Sequence, residues 1–270
     1  MAKVAKKKPA AKSLLTPASL DFLKTYINNP SPVGFESWGQ KLWLDYLKPF
    51  VDTHYVDPYG TAVGIINKDH PFKVVIEAHA DEISWFVSYI TESGLIYVKR
   101  NGGSDHQIAP SKRVHIHTEK GIVHGVFGWP AIHVRDANKE EPPTLKNIFL
   151  DIGCKNEKEV EELGVHVGCV VTYPDELMVL NNRYYVGRAL DNRMGGFMIA
   201  EVARLIKEKK DKLPFSLYIV NSVQEEVGLH CARMVANRIK PDVAFVHDVC
   251  HHTNTPGISK NKHGDISCGD

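Results

Sequence analysis

Val74-Val75-Ile76-Glu77-Ala78 is an almost unbroken apolar run, and His79-Ala80-Asp81-Glu82 follows it without a spacer. Apolar residues in direct succession, β-branched at 74–76, predict a short strand covered on both faces, as in a sheet packed between helices. A histidine and two carboxylates at the end of that strand then fall at the rim of the sheet. In open α/β sheets ligands bind at this rim, outside the carboxyl ends of the strands.

Toward the N-terminus, Thr16-Pro17 puts a capping hydroxyl before a proline at the first helical position, and Asn28-Asn29-Pro30 ends the helix. Leu20, Leu23 and Ile27 are expected to share its buried face. A second helical pattern covers 36–47 and closes at Pro49, and strand-like runs at 51–57 and 61–67 flank a Pro58-Tyr59-Gly60 turn.

Beyond Ser84 the texture changes. Short β-rich segments at 85–91, 94–100, 113–118, 121–128, 148–152, 167–173 and 177–180 are separated by glycine and proline, with one brief helix over 157–163. That is the pattern of a small barrel or sandwich. After Asn181-Asn182 the alternation of helix and strand returns. A helix is predicted over 192–209 with Ile199, Val202 and Ile206 on one stripe, then a strand over 215–223, a helix over 229–239 and a strand over 243–249. The expected fold is α/β: a mixed sheet flanked by helices over 16–83 and 181–270, interrupted by a β-rich insertion over 84–180.

Composition narrows the function classes. With 270 residues, 43% hydrophobic and 24% charged, the chain buries a sizeable core. A net charge of +1 gives no field that would hold nucleic acid or an anionic membrane. The basic cluster between Lys3 and Lys12 lies in a stretch, 1–15, expected to be a disordered tail, and no apolar run of signal-peptide length follows it. Nowhere do about 18 apolar residues run together, so no transmembrane helix is expected. The cysteines at 154, 169, 231, 250 and 268 form no CxxC pair, which suits free thiols in a reducing cytoplasm.

Three further acidic groups fall where His79 does, at the edge of the predicted sheet. Gln224-Glu225-Glu226 follows the strand at 215–223, Asp248 closes the last strand, and Asp191 precedes the helix at 192–209. Each has an ordinary explanation by itself: Asp191 could cap a helix, Glu225-Glu226 could complement a helix dipole, and His79 could be a loop histidine. Their joint placement around one crevice points instead to a metal site. Carboxylate and imidazole donors suit Zn, Co or Mn, and two such ions about 3.5–4 Å apart polarise a carbonyl and activate water, with a nearby carboxylate moving the proton.

The stretches Glu77-Ala78-His79-Ala80-Asp81-Glu82-Ile83, Arg188-Ala189-Leu190-Asp191-Asn192-Arg193, Gln224-Glu225-Glu226-Val227-Gly228-Leu229, and Asp248-Val249 with Thr253-Asn254-Thr255-Pro256 resemble the M42 peptidases. These are metallo-aminopeptidases of the tetrahedral and glutamyl type. Asp151-Ile152-Gly153 and Glu162-Leu163-Gly164-Val165 extend the resemblance through the β-rich part.

The resemblance implies a zinc-peptidase-like catalytic domain with an inserted PDZ-like domain used for dimerisation, hollow tetrahedral homo-oligomers, and trimming of peptide N-termini. It implies two divalent ions, Zn or Co, with His79 and Asp248 on one, Glu226 on the other, and Asp191 bridging. Glu225 would be the general base, and the Asp81 carboxylate would orient the imidazole.

The family's remaining ligand is a histidine near the end of a longer chain, and His251, His252 and His263 do not match its motif. A fragment, or a truncated paralogue with a structural role, is therefore expected. Hydrolysis of N-acyl amino acids by the same site is a further alternative.

Overall fold

The computed structural model describes residues 14–136 and 141–268. The expected basic tail falls outside the described residues except for Leu14 and Leu15. In chain order the elements are α1 (Pro17–Asn28), α2 (Ser37–Leu47), β1 (Thr53–Val56), β2 (Ala62–Ile66), β3 (Lys73–His79), β4 (Ser84–Ile90), β5 (Ile96–Asn101), β6 (Arg113–Thr118), β7 (Gly121–Gly128) and β8 (Phe149–Asp151). They continue as α3 (Glu157–Glu162), β9 (Val170–Thr172), β10 (Met178–Leu180), β11 (Tyr184–Val186), α4 (Leu190–Lys209), β12 (Ser216–Ser222), α5 (His230–Ile239), β13 (Val243–Val246) and α6 (Lys260–His263).

Among the described residues, one sheet has the order β1-β2-β12-β3-β13. It is mixed: β1, β2 and β12 pair antiparallel, whereas β12, β3 and β13 run parallel. The apolar run at 74–78 is β3, at the sheet's interior, and its two faces pack into different cores. Val74, Ile76 and Ala78 meet α1, α2 and α4 through Tyr26, Trp43 and Phe197, while Val75 meets Val235 and Ile239 of α5. The strand is apolar throughout because both of its faces are buried.

Helix α1 starts as the sequence dictates. Thr16 Oγ1 accepts the Ser19 N–H at 3.1 Å, and Ser19 Oγ accepts the Thr16 N–H at 3.3 Å, a reciprocal cap ahead of Pro17. Its buried face is Ser19, Phe22, Leu23, Tyr26 and Ile27, and Leu20 is exposed, contrary to expectation. The spacing of Phe22 and Tyr26 rotates the stripe toward the aromatics, which bury more area. On α4, likewise, Val202 is exposed and Ala200 and Ala203 take the inner face beside Ile199.

The β-rich stretch closes on itself as a barrel, β4-β5-β8-β7-β6-β9, all neighbours antiparallel. Trp85, Val87, Ile96, Val98, Val114, Ile116, Phe127 and Leu150 fill it, with the Trp85 and Phe127 rings 5.3 Å apart edge to face. The segment expected as a strand at 177–180 lies outside this barrel. It forms the β10–β11 hairpin, because β9 has already closed the ring on β4 and leaves no free edge there.

No helix among the described residues is long and apolar enough to cross a membrane. The five cysteines are free thiols.

Candidate metal centre

His79 is the last residue of β3, and its imidazole is buried. Its Nδ1 lies 3.1 Å from the backbone carbonyl of Asp81. A carbonyl only accepts, so Nδ1 carries a proton, and Nε2 is the ring atom turned to the sheet rim, where it donates to a carboxylate until a cation takes the place of its proton. At that rim Nε2 meets Asp191 Oδ1 at 3.1 Å and Glu225 Oε2 at 3.7 Å. Two ligand atoms each about 2.0 Å from a tetrahedral zinc lie roughly 3.3 Å apart, so the His79–Asp191 spacing suits a shared cation.

Asp81 does more than stand behind the imidazole. Its carboxylate, wholly buried, is 3.6 Å from His79 Nδ1, farther than its own carbonyl. Oδ1 accepts the Glu225 N–H and Oδ2 accepts the Glu226 N–H, each at 3.0 Å. One side chain therefore sets the turn after β12 in register with β3. The preceding amide, Gln224 N–H, donates to Glu36 Oε1 at 3.3 Å, and the same oxygen accepts the Gly34 N–H at 2.8 Å. Three successive amides are held by two buried carboxyls. Glu36 was not legible as a site residue, since it lies far upstream at the start of α2 and belongs to no motif.

Asp191 sits in the first turn of α4 but is not its cap. The N-cap position is Ala189, and backbone angles at Asp191 (φ −84°, ψ 114°) and Asn192 (φ −113°, ψ 34°) are not helical. Asn192 Oδ1 caps the regular helix by accepting the Gly195 N–H at 3.2 Å, and its Nδ2 donates to the His247 carbonyl. That bond ties the start of α4 to the end of β13, one residue before Asp248.

The residues expected to bind metal fall into two groups that share His79, with Glu226 in a different group from Asp191 and Asp248. The ligand atoms of His79, Asp191 and Asp248 lie within 4.8 Å of one another, and so do those of His79, Glu225 and Glu226. His251, His252 and His263 belong to neither group among the described residues.

The electrostatics describe a crowded anionic rim. Burial pulls His79 down, but hydrogen bonds to Asp191 and Asp81 and the charges of Asp81 and Glu225 outweigh it and lift the imidazole to about 10. Burial pushes Glu226 up to about 7, and the charge of Asp191 adds to this. Burial also raises Glu225, against the pull of His79. Mixed imidazole and carboxylate donors crowded in this way fit a divalent cation, which would relieve their mutual repulsion.

A clamp beside the site joins it to the barrel. Arg188 Nε donates to Glu82 Oε2 at 2.8 Å, and Glu82 Oε1 accepts the Ser31 N–H at 2.7 Å. Asn101, closing β5, donates to Val33 O and Ser84 Oγ.

The pattern of the M42 glutamyl aminopeptidases matches residues 60–270. The putative aminopeptidase FrvX of Escherichia coli is 32% identical over 247 residues, covering 91% of this chain and 68% of that relative. A TET aminopeptidase from a marine sediment archaeon of the Thaumarchaeota superposes with a TM-score of 0.88 at 30% identity, over 92% of this chain and 70% of that one. The TET1 peptidase of Pyrococcus horikoshii, which can assemble into a tetrahedron or a large octahedral shell, matches with a TM-score of 0.76 at 27% identity, over 89% of this chain and 72% of that one. The chain belongs to the M42 glutamyl aminopeptidase family.

Proposed function

We propose that this chain carries the catalytic centre of a metal-dependent aminopeptidase that releases N-terminal residues from peptides. The observation that carries the reading is the convergence of His79 Nε2, Asp191 and Asp248 on one side and Glu225 and Glu226 on the other, with ligand atoms within 4.8 Å in each group. Two divalent ions, Zn or Co, bound there would polarise the scissile carbonyl and activate water. His79 and Asp248 would hold one ion, Glu226 the other, and Asp191 would bridge. Glu225 takes the proton from the attacking water and hands it to the leaving amine. Asp81 keeps Glu225 and Glu226 in register with His79 by accepting hydrogen bonds from their two backbone amides.

Residues 16–83 and 181–270 form the proposed catalytic domain. Residues 84–180 form a PDZ-like domain through which copies pair, and the family relation to a shell-forming peptidase supports a homo-oligomer built from such dimers. The free cysteines suit a cytoplasmic location.

The test is turnover of a panel of aminoacyl substrates by metal-free protein and by protein reloaded with Zn or Co. Turnover that appears only on reloading is expected. A protein that takes up metal at this cluster and cleaves none of the panel would sink the reading.

A further inference from the structure

A cavity of about 560 Å³ opens directly beside the candidate metal cluster, with Asp191 and Glu226 forming part of its wall. Four apolar side chains from separate segments complete the wall next to them. Ile83 comes from the turn after β3, Ile108 from the loop after β5, and Met178 and Val186 from the two strands of the β10–β11 hairpin. All four are solvent-exposed, from 41% for Val186 to 61% for Ile108. A single exposed aliphatic residue needs no explanation, but four that converge on one cavity against a polar cluster have the make-up of a ligand site.

Asp191 and Glu226 are the carboxylates committed to the proposed cations, and the other charged groups of the cavity do not offer a free partner at depth. Glu82 is buried and bonded to the partly buried Arg188, whose Nη1 and Nη2 also donate to the carbonyls of Asp175 and Asn28. Lys112, Asp175 and Glu176 carry opposite signs and are exposed at the rim, so their charges are screened by water. With Asp191 and Glu226 neutralised by the proposed cations, a lysine or glutamate side chain entering this space would lose hydration without gaining a buried counter-charge. An aliphatic or thioether side chain would lose only contact with water.

We propose that this cavity receives the side chain of the substrate's N-terminal residue and selects leucine, methionine or phenylalanine over lysine and glutamate. The proposal rests on the aminopeptidase reading and adds its substrate class. The occupant follows from position: the N-terminal residue is the part of a peptide held against the metal ligands, and Asp191 and Glu226 line both the cluster and the cavity. Ile108 and Met178 are the specificity-determining residues with the greatest exposed apolar area.

The experiment compares kcat/KM for the p-nitroanilides of Leu, Met, Phe, Ala, Lys and Glu with Zn-loaded protein, and measures binding of leucinamide and lysinamide by calorimetry. Leu, Met and Phe are expected to exceed Lys and Glu by about tenfold or more. Ile108→Ala and Met178→Ala should each lower the Leu-to-Ala ratio several-fold, and Met178→Glu should raise the Lys-to-Leu ratio. Preference for Lys or Glu, or ratios unmoved by all three variants while turnover persists, would overturn the proposal and leave the aminopeptidase reading intact. No turnover, with leucinamide binding that the variants weaken, would remove that reading and leave the apolar site standing. Neither turnover nor selective leucinamide binding overturns both.

Discussion

Gly102 backs directly onto Glu226: a Cβ added at Gly102 would sit 3.2 Å from Glu226 Cβ and 3.0 Å from Ile83 Cγ2. The glycine also holds φ at +76°, where an L side chain is strained. A loop of the barrel thus fixes one candidate ligand of the sheet. Gly102→Ala should cost about 1–2 kcal/mol in backbone strain and push Glu226 out of place. Urea midpoints together with zinc stoichiometry check this, and an alanine variant with full stability and two bound ions would refute it.

Glu225→Gln keeps size and hydrogen bonding but removes the base. Turnover should fall by roughly 10²–10⁴-fold while metal content stays near that of the parent. If metal leaves with activity, Glu225 is a ligand and the division of labour with Glu226 is wrong.

Burial is the chief cause that pushes the Glu36 carboxyl up to about 7, and the amides of Gly34 and Gln224 pull the other way. A folded-state value above the ordinary 4.5 means that the folded protein binds this proton more tightly. The corresponding stability is fully present below about pH 4.5 and is lost as pH rises through about 7. Glu36→Gln, which never ionises, should therefore gain on the parent between pH 5 and pH 8, by up to about 3 kcal/mol. Parallel stability curves across that window would show that Glu36 does not titrate there.

Arg188→Met would leave Glu82 buried without its counter-charge. The expected loss is about 3–5 kcal/mol in urea unfolding. Adding Glu82→Gln should recover most of it, because an amide oxygen can still accept the Ser31 N–H. A single variant as stable as the parent would mean that the clamp is not a stabilising one.

Relief of crowded carboxylates predicts that cation binding stabilises the fold. Zinc at about 100 times its dissociation constant should add roughly 2.7 kcal/mol, seen as a higher Tm. The gain should vanish in Asp191→Asn. A shift that survives in that variant would place the ion elsewhere.

Much of the frame could be read along the chain. The apolar run at 74–78, the cap at Thr16-Pro17 and the β-rich stretch after Ser84 each specify local structure through periodicity and turn chemistry. The motifs around His79, Asp191, Glu225-Glu226 and Asp248 were legible because each is a short run of chemically distinctive residues at a strand or helix end. The buried faces of α1 and α4 were misjudged at Leu20 and Val202, since periodicity gives a stripe's spacing but not which of two adjacent stripes meets the sheet.

The sequence by itself determined the element types, the apolar central strand and the residue set of the rim, because those follow from backbone preference and side-chain chemistry within a few neighbours. Only the tertiary structure decided the strand order β1-β2-β12-β3-β13, the closure of the barrel without residues 178–180, and the work of Glu36, Gly102 and the Asp81 carboxylate on the Glu225-Glu226 turn. These depend on groups far apart in the chain meeting across a sheet edge, where burial and hydrogen-bond geometry, rather than local pattern, set the energy.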